Sequence, residues 1–599
     1  MTNYVRLENL SLGLAIVFST AWLLLNHAVP IWDGAEFVVS GQKIAEAYRT
    51  LDFENILNRM YYERGWRPLI WPLLASPFFY LMNNQISAAT MAIQTILFIV
   101  FTAYVFKITS IYLIDKKAKY ASSFVMLVPW VFNASRDYYP DFLLITFFVA
   151  FIYYFLIAVV HGRELSARQR ILAVLAVFLC FAARPVEASI YVAVFGLAVL
   201  VSRDYELFNR RVLFNLAISI CLFALTIVVV PVAQRVLHAN IPIAEQTLFV
   251  VLCLIFAASA IYGFLKRDYS NFYFLFSLGL FFSTLWYFGL RYPLIDWAYT
   301  TSFGSLAATT DRRSEGKAIF EILSMVSQPF GKNFYGLLGA LFIAAVVSRI
   351  QFVLPELKKH RVLVVFSVIS FVFIMVLYSL SGTGDHRRTM VPLMLVTVFA
   401  VIVISRTALW PLIAGWASVL VVGLGISVAA PLTAGANGFE FRAIFDYRVP
   451  TPGPDVNRMF ARKLLTLFDG TESRISFHTI CYFDNDAGCS ARKIPWVEPL
   501  ALTAATQESR KYVFFHFKND LDGIPDEKLA RVYRDAGFTH MLLDLFDKPL
   551  SVNTAIDHNR ATLRLLELAR NGGLNKHFRF VGNVEFGGRN FAWYAFPAQ

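Results

Sequence analysis

Charge is the scarcest commodity in this chain. Of its 599 residues only 16% are charged while 57% are hydrophobic, against about 25% charged in an ordinary globular protein. That excludes a soluble enzyme of several domains, a disordered chain and a nucleic-acid binder. Cysteine is sparse too, with five residues in all. Cys180, Cys221 and Cys253 lie in apolar runs, where a free thiol behaves as a small hydrophobe. The C-terminal region has neither a Gly-rich phosphate loop nor a G-x-S-x-G elbow. The chain also lacks internal repeats and low-complexity tracts.

What charge there is falls unevenly. Residues 1–433 hold 33 Lys+Arg and 22 Asp+Glu, and residues 434–599 hold 21 and 19. The first stretch has a membrane composition and the second a soluble one, so the expected domains are 1–433 and 434–599. Apolar runs of about 17–25 residues, long enough to cross a bilayer core, recur along the first. They fall near 10–29, 86–113, 120–135, 140–160, 171–183, 185–201, 212–236, 246–265, 271–290, 334–349, 362–380, 390–405 and 409–430. The expectation is an α-helical polytopic membrane protein of about thirteen spans. Arg184-Pro185 divides what would otherwise be one run at 171–201. Segments 36–48 and 68–82 have helical apolar patterns suited to the membrane interface.

Lys and Arg cluster at 116–119, 163–170, 203–211, 266–267, 358–361 and 406. With thirteen spans these clusters share one side, which the excess of basic residues marks as cytoplasmic. The N-terminus is then cytoplasmic and residues 434–599 periplasmic, the protein lying in the inner (cytoplasmic) membrane. The first span is too long for a cleaved signal and no small-x-small site follows it. The net charge of +13 reflects these short loops rather than affinity for nucleic acid. The tail alternates helical and extended patterns and reads as an α/β domain, with Gly587-Gly588 marking a hairpin. In an exported tail, Cys481 and Cys489 are expected to form a local disulfide; two thiolates with no adjacent further ligand make a poor metal site.

Charges at the outer ends of spans are the informative ones, because a charge at membrane depth usually marks a site or pathway. Asp33 and Glu36 follow the first span, three positions apart; the same spacing also makes a capped helix start. Arg136-Asp137-Tyr138-Tyr139-Pro140-Asp141 stands at an outer junction, where Tyr also serves as an interfacial anchor. Asp385-His386-Arg387-Arg388 puts positive charge on the outer side. Arginine suits phosphate through paired hydrogen bonds, while snorkelling to headgroups is the plain alternative. Arg64 and Arg67 flank Trp66 before an apolar helix. Arg184 sits at an outer turn, with Glu187 as a local partner. Carboxylates and arginines thus meet on one membrane face, as an enzyme acting on an anionic lipid requires.

These residues resemble, in order, the motifs of the bacterial polytopic glycosyltransferases of the GT-C fold near family 39, the protein O-mannosyltransferases and the aminoarabinose transferases. The matching features are the acidic motif after the first span (Asp33, Glu36), Arg67-Pro68-Leu69 entering an apolar helix, Asp141 opening a span, and Arg388-Thr-Met-Val-Pro392. The tail's Ala536–Leu543 stretch is also similar to the C-terminal domain of such transferases. The acidic pair here is Asp-x-x-Glu rather than adjacent Asp-Glu. The resemblance implies inverting transfer of a sugar from a polyprenyl-phosphate donor to an extracytoplasmic glycan, lipid or protein acceptor. It makes Asp33 the general base, with Glu36 and Asp141 orienting the acceptor or holding one divalent cation (Mg, Mn or Ca), and leaves metal dependence open. Arg387 and Arg388, with His386, Arg67 and Arg64, would hold the donor phosphate. Asp137 and Arg184 are further site candidates. A transporter or flippase of lipid-linked saccharides is the rival reading; it should show two related halves, and none are visible.

Overall fold

The computed structural model describes residues 7–30, 33–52, 70–201, 272–287, 334–359, 390–433, 446–451, 456–467, 473–479, 499–507, 512–515, 524–545 and 557–596, with a few single positions between them. The chain divides into two compact units. One comprises residues 1–25, 53–74 and 92–450, the other 26–52, 75–91 and 451–599. In chain order the helices within residues 1–433 are α1 (Leu7–Leu25), α2 (Asp33–Arg49), α3 (Ile70–Leu81), α4 (Ile86–Tyr112), α5 (Asp115–Leu127), α6 (Pro129–Arg136), α7 (Pro140–Phe155), α8 (Ala167–Ala183), α9 (Pro185–Val201), α10 (Phe272–Tyr287), α11 (Phe334–Val347), α12 (Ile350–Lys359), α13 (Met390–Arg406) and α14 (Trp410–Thr433).

Among the described residues, four helices are long and apolar enough to cross a membrane: Glu8–Leu25, Ile86–Tyr112, Pro140–Ala158 and Trp410–Pro431. Helices α11 and α12 form a pair bent by 83°. The expected spans at 212–236, 246–265 and 362–380 lie wholly or largely outside the described residues.

Proline sets the breaks. Pro129 forbids helical backbone at Val128, which takes φ −52°, ψ 127°, so the apolar run at 120–135 becomes α5 followed by α6. Pro185 does the same to Arg184, at φ −152°, ψ 85°, and separates α8 from α9. Pro140 supplies the first residue of α7, where its missing N–H costs nothing. Helix α8 starts with a reciprocal cap: Ser166 Oγ accepts from the Gln169 N–H, and Gln169 Oε1 accepts from the Ser166 N–H at 2.9 Å.

In the first unit α5 packs against α1, α13 and α14, and α8 against α7 and α10. Gly279 of α10 brings α8 close: a methyl group there would lie 2.6 Å from Val177 Cβ. The basic loops gather at one end. Lys117 Nζ donates to Ser405 O at 2.8 Å, Arg406 pairs with Glu356 at 2.9 Å, and Tyr112 meets His161 with ring centroids 5.9 Å apart. Asp137, Asp141 and Arg184 lie at the opposite ends of their helices. The segment leaving α14 is tied to that opposite end. Asn133 donates to Asp446 O and accepts from the Arg448 N–H, each at 2.9 Å, and the Tyr447 hydroxyl donates to Leu127 O.

The second unit holds α15 (Val456–Leu467), β1 (Ser473–His478), α16 (Pro499–Gln507), β2 (Tyr512–Phe515), α17 (Asp526–Asp535), β3 (His540–Leu545), α18 (Asp557–Arg570), β4 (Arg579–Phe586) and β5 (Arg589–Ala595). The sheet order is β2-β1-β3-β5-β4. Strands β2, β1 and β3 run parallel, while β5 lies antiparallel to both β3 and β4. Gly587 and Gly588, with φ of 58° and 74°, turn β4 into β5 as a two-residue hairpin requires. Leu529 and Tyr533 of α17 and Leu565 of α18 bury against Met541, Leu543 and Tyr594 of the sheet. One end of the sheet carries a buried polar network: Arg589 pairs with Asp544, and Thr479 Oγ1 donates to Asp544 Oδ2 at 2.9 Å. Burial draws the Arg589 pKa down to about 9, still high enough to keep the guanidinium charged at neutral pH.

Helix α2 belongs to this second unit and packs against α16. Its residues 34–39 are all buried, so this acidic-headed helix is enclosed by protein where the sequence suggested a helix lying in the membrane interface.

Candidate active site

Asp33 is the first residue of α2 and Glu36 completes its first turn. Carboxylates there are favoured by the positive end of the helix dipole. Glu36 is 5% exposed; the Asp33 side chain lies outside the described part. The helix is held further along. Gln42 Nε2 donates to Asn84 O at 3.2 Å and Ala504 O at 3.3 Å, and Arg49 pairs with Glu46 at 3.0 Å. Arg458 of α15 adds a tie to the chain before α2, donating to His27 O at 2.9 Å and to Ser87 Oγ at 3.0 Å. Asp33 therefore stands at the mouth of a helix anchored on several sides.

In the first unit the structure joins two of the sequence candidates. Arg184 Nη2 donates to Asp141 Oδ2 at 3.1 Å, and both side chains are largely enclosed. Asp141 occupies the first turn of α7, behind Pro140, where the helix dipole also favours its charge. Arg184 sits at the break before α9, where the backbone projects it out of the helical path. The pair therefore spans the starts of two different helices. Close by, Tyr287 donates to Ala182 O at 2.7 Å and fastens the end of α10 to the end of α8.

Asp137, the residue after α6, pairs with Arg448. Sequence reading missed Arg448: it lies near the start of the 434–599 stretch with no motif around it, and only the approach of 446–448 to α6 brings it to Asp137. The indole of Trp71 packs on Tyr138 with centroids 5.0 Å apart. Among the described residues, the Tyr138 hydroxyl and the Trp71 N–H are buried without a hydrogen-bond partner. Donors of this kind are kept in folded proteins for a reason, often a ligand or water. The end of α6 and the start of α7 thus present a carboxylate–guanidinium pair beside two unused donors.

Arg64, Arg67, His386, Arg387, Arg388, Cys481 and Cys489 lie outside the described residues. The fit to a divalent cation is poor at Asp141, because its Oδ2 is already committed to a guanidinium. Among the described residues no three His, Cys, Asp or Glu side chains cluster as metal ligands do.

This architecture has a counterpart among solved structures. Over 98% of this chain and 97% of the other, it matches the crystal structure of ArnT from Cupriavidus metallidurans bound to undecaprenyl phosphate, with a TM-score of 0.54 at 10% sequence identity. The apo structure of the same ArnT aligns over the same shares with a TM-score of 0.41 at 12% identity. No model of a known protein family matches the chain, and no curated protein matches it. At such identity the likeness is one of fold. With its apolar helices, it makes this chain an integral membrane protein.

Proposed function

We propose that this protein is a membrane glycosyltransferase that moves a sugar from a polyprenyl-phosphate donor to an acceptor hydroxyl outside the cytoplasm, with inversion at the anomeric carbon. The observation that carries the reading is the full-length fold likeness to a protein crystallised with undecaprenyl phosphate. The gathering of basic loops at one end of the first unit, with the carboxylate–arginine pair at the other, supports it: the excess of basic residues marks the cytoplasmic side.

Asp33 takes the proton from the acceptor hydroxyl. The hydroxyl oxygen attacks the anomeric carbon as the bond from that carbon to the phosphate oxygen breaks. The polyprenyl phosphate leaves with the bonding pair. Arg387 and Arg388, aided by His386, Arg64 and Arg67, hold the negative charge that grows on it. Glu36 and Asp141 orient the acceptor, Asp141 through its fixed pairing with Arg184. Asp137, tied to Arg448, holds the same outer junction. No nucleotide is required, because the donor is carried by lipid. A divalent cation would screen the phosphate charge, a task the arginines already perform.

The test is a transfer assay with purified protein and a polyprenyl-phosphate sugar. Asp33→Asn keeps the size of the side chain and removes its basicity. Turnover should fall by about 10²–10⁴-fold with donor binding retained. A near wild-type rate would move the base to Glu36 or Asp141. A residue that merely caps α2 would cost only about 1 kcal/mol of stability and leave turnover intact.

A further inference from the structure

Among the described residues of the first unit, Arg136 is the most enclosed cation that the proposed chemistry leaves unused. It is the last residue of α6 and is 4% exposed. Its guanidinium carbon lies 4.4 Å from the ring centroid of Phe132, 4.8 Å from Phe98 and 5.5 Å from Trp22. Three aromatic faces offer it their negative quadrupoles. They do nothing for the N–H donors at its edge. Among the described residues Nε, Nη1 and Nη2 all lack a hydrogen-bond acceptor. A buried guanidinium with every nitrogen unmatched is costly, and an anion is the natural complement.

Phe98, one wall of that cage, is also a wall of a groove of about 240 Å³ between α1 and α4. Leu12, Ile16, Ser19, Thr20 and Leu23 of α1 face Thr95, Ile99, Thr102, Ala103 and Phe106 of α4 across it. The α1 positions recur at helical spacing, so they form a single stripe. Ile16 and Ile99 are 43% and 57% exposed, so the groove opens sideways, toward lipid. Its surface is apolar apart from a few hydroxyls; that of Thr102 is spent on Phe98 O at 2.8 Å. From Leu12 to Leu23 the stripe runs about 16 Å at 1.5 Å per residue. One leaflet of a bilayer core, half of about 30 Å, has that depth. Phe98 is shared between the groove lining and the cage, so the guanidinium lies behind that wall of the groove.

We propose that this groove holds one acyl chain of an anionic glycerophospholipid from the surrounding bilayer, with the lipid phosphate on Arg136. A chain of one leaflet's depth, beside a buried unpaired cation, is the shape and charge of such a lipid. A polyprenyl chain is far longer than the groove. The site stands whether or not the protein transfers a sugar.

The test is native mass spectrometry of the full-length protein in detergent, titrated with phosphatidylglycerol or phosphatidylcholine of equal chain length. Wild type should bind the anionic lipid at least about tenfold more tightly, as expected for charge-assisted hydrogen bonds. Arg136→Gln should abolish that preference, and Arg136→Lys should restore part of it. Ala103→Trp, which fills the groove without touching the cage, should weaken both lipids. Equal binding of the two lipids by wild type would overturn the proposal. So would a preference that survives Arg136→Gln, or displacement of phosphatidylglycerol by glycerol phosphate alone. Displacement by undecaprenyl phosphate at matched concentration would likewise overturn it, in favour of a donor-lipid site. A loss of thermal stability in Arg136→Gln that is the same in both lipids would reduce Arg136 to a packing residue.

Discussion

Asp141 and Arg184 are 43 positions apart, and their meeting was not readable from sequence. The sequence offered Arg184 a partner one helical turn away, Glu187, and gave no sign that α7 and α9 begin side by side. What it did offer was residue type and depth: a carboxylate after a proline, and an arginine before one, at the ends of apolar runs. Pairing depends on how helices stack, which periodicity does not encode. The pair leads to a prediction. Removing one member leaves its partner's charge buried, so Arg184→Gln should cost about 3–5 kcal/mol of stability. Asp141→Asn combined with Arg184→Gln should recover much of that loss. Thermal unfolding of the three variants checks this, and the transfer assay on the double variant separates the roles. If stability returns and turnover does not, the pair orients substrate as well as holding α7 to α9.

Elements were legible where backbone chemistry dictated them. Pro140 and Pro185 set helix limits by rules that need no tertiary knowledge, whereas Pro129 breaks a run, 120–135, that the sequence reading kept whole; Gly587-Gly588 turns a hairpin because both residues take positive φ. Helix α16 escaped notice: Pro499–Gln507 is short and rich in small residues, with no apolar stripe, and it exists because α2 and α15 pack against it. Close packing of α8 on α10 was equally hidden, since Gly279 in an apolar run looks like any other membrane glycine. Lipid gives helices no hydrophobic reason to associate, so close approach at small residues takes over that task. Gly279→Val would drive a side chain into Val177 and the carbonyl of Val174. It should destabilise the first unit by about 1–3 kcal/mol, read as a lower unfolding midpoint in detergent. Gly339, where an added methyl group meets nothing within 4 Å, provides the control: Gly339→Val should be near neutral.

At the scale of the molecule, composition distinguishes an apolar stretch, 1–433, from a more charged one, 434–599, and the order of short motifs led to the expectation of a fold like that of ArnT. It gave no hint that residues 26–52 and 75–91 would fold into one unit with 451–599, because that depends on contacts across more than 350 positions. Orientation remains a sequence-based expectation with a direct check. A reporter fused after Gln599 should be active only if it works outside the cytoplasm, and one inserted at the α4–α5 connection, 113–114, only if it works inside. The opposite pattern would invert the topology and remove the proposed reaction from the periplasmic face.

The composite make-up of the second unit has a consequence for biosynthesis. Residues 26–91 leave the ribosome long before residue 451 is made. At about 5–20 residues per second, the intervening stretch takes on the order of 20–70 s to synthesise. For that time α2, whose residues 34–39 end up buried, waits without the sheet and helices it will join. Its sparing use of apolar residues fits such a wait, since a greasier helix would sink into the bilayer or aggregate before its partners arrived. The acidic head of α2, and with it the proposed base, is therefore among the last parts of the protein to take its final place.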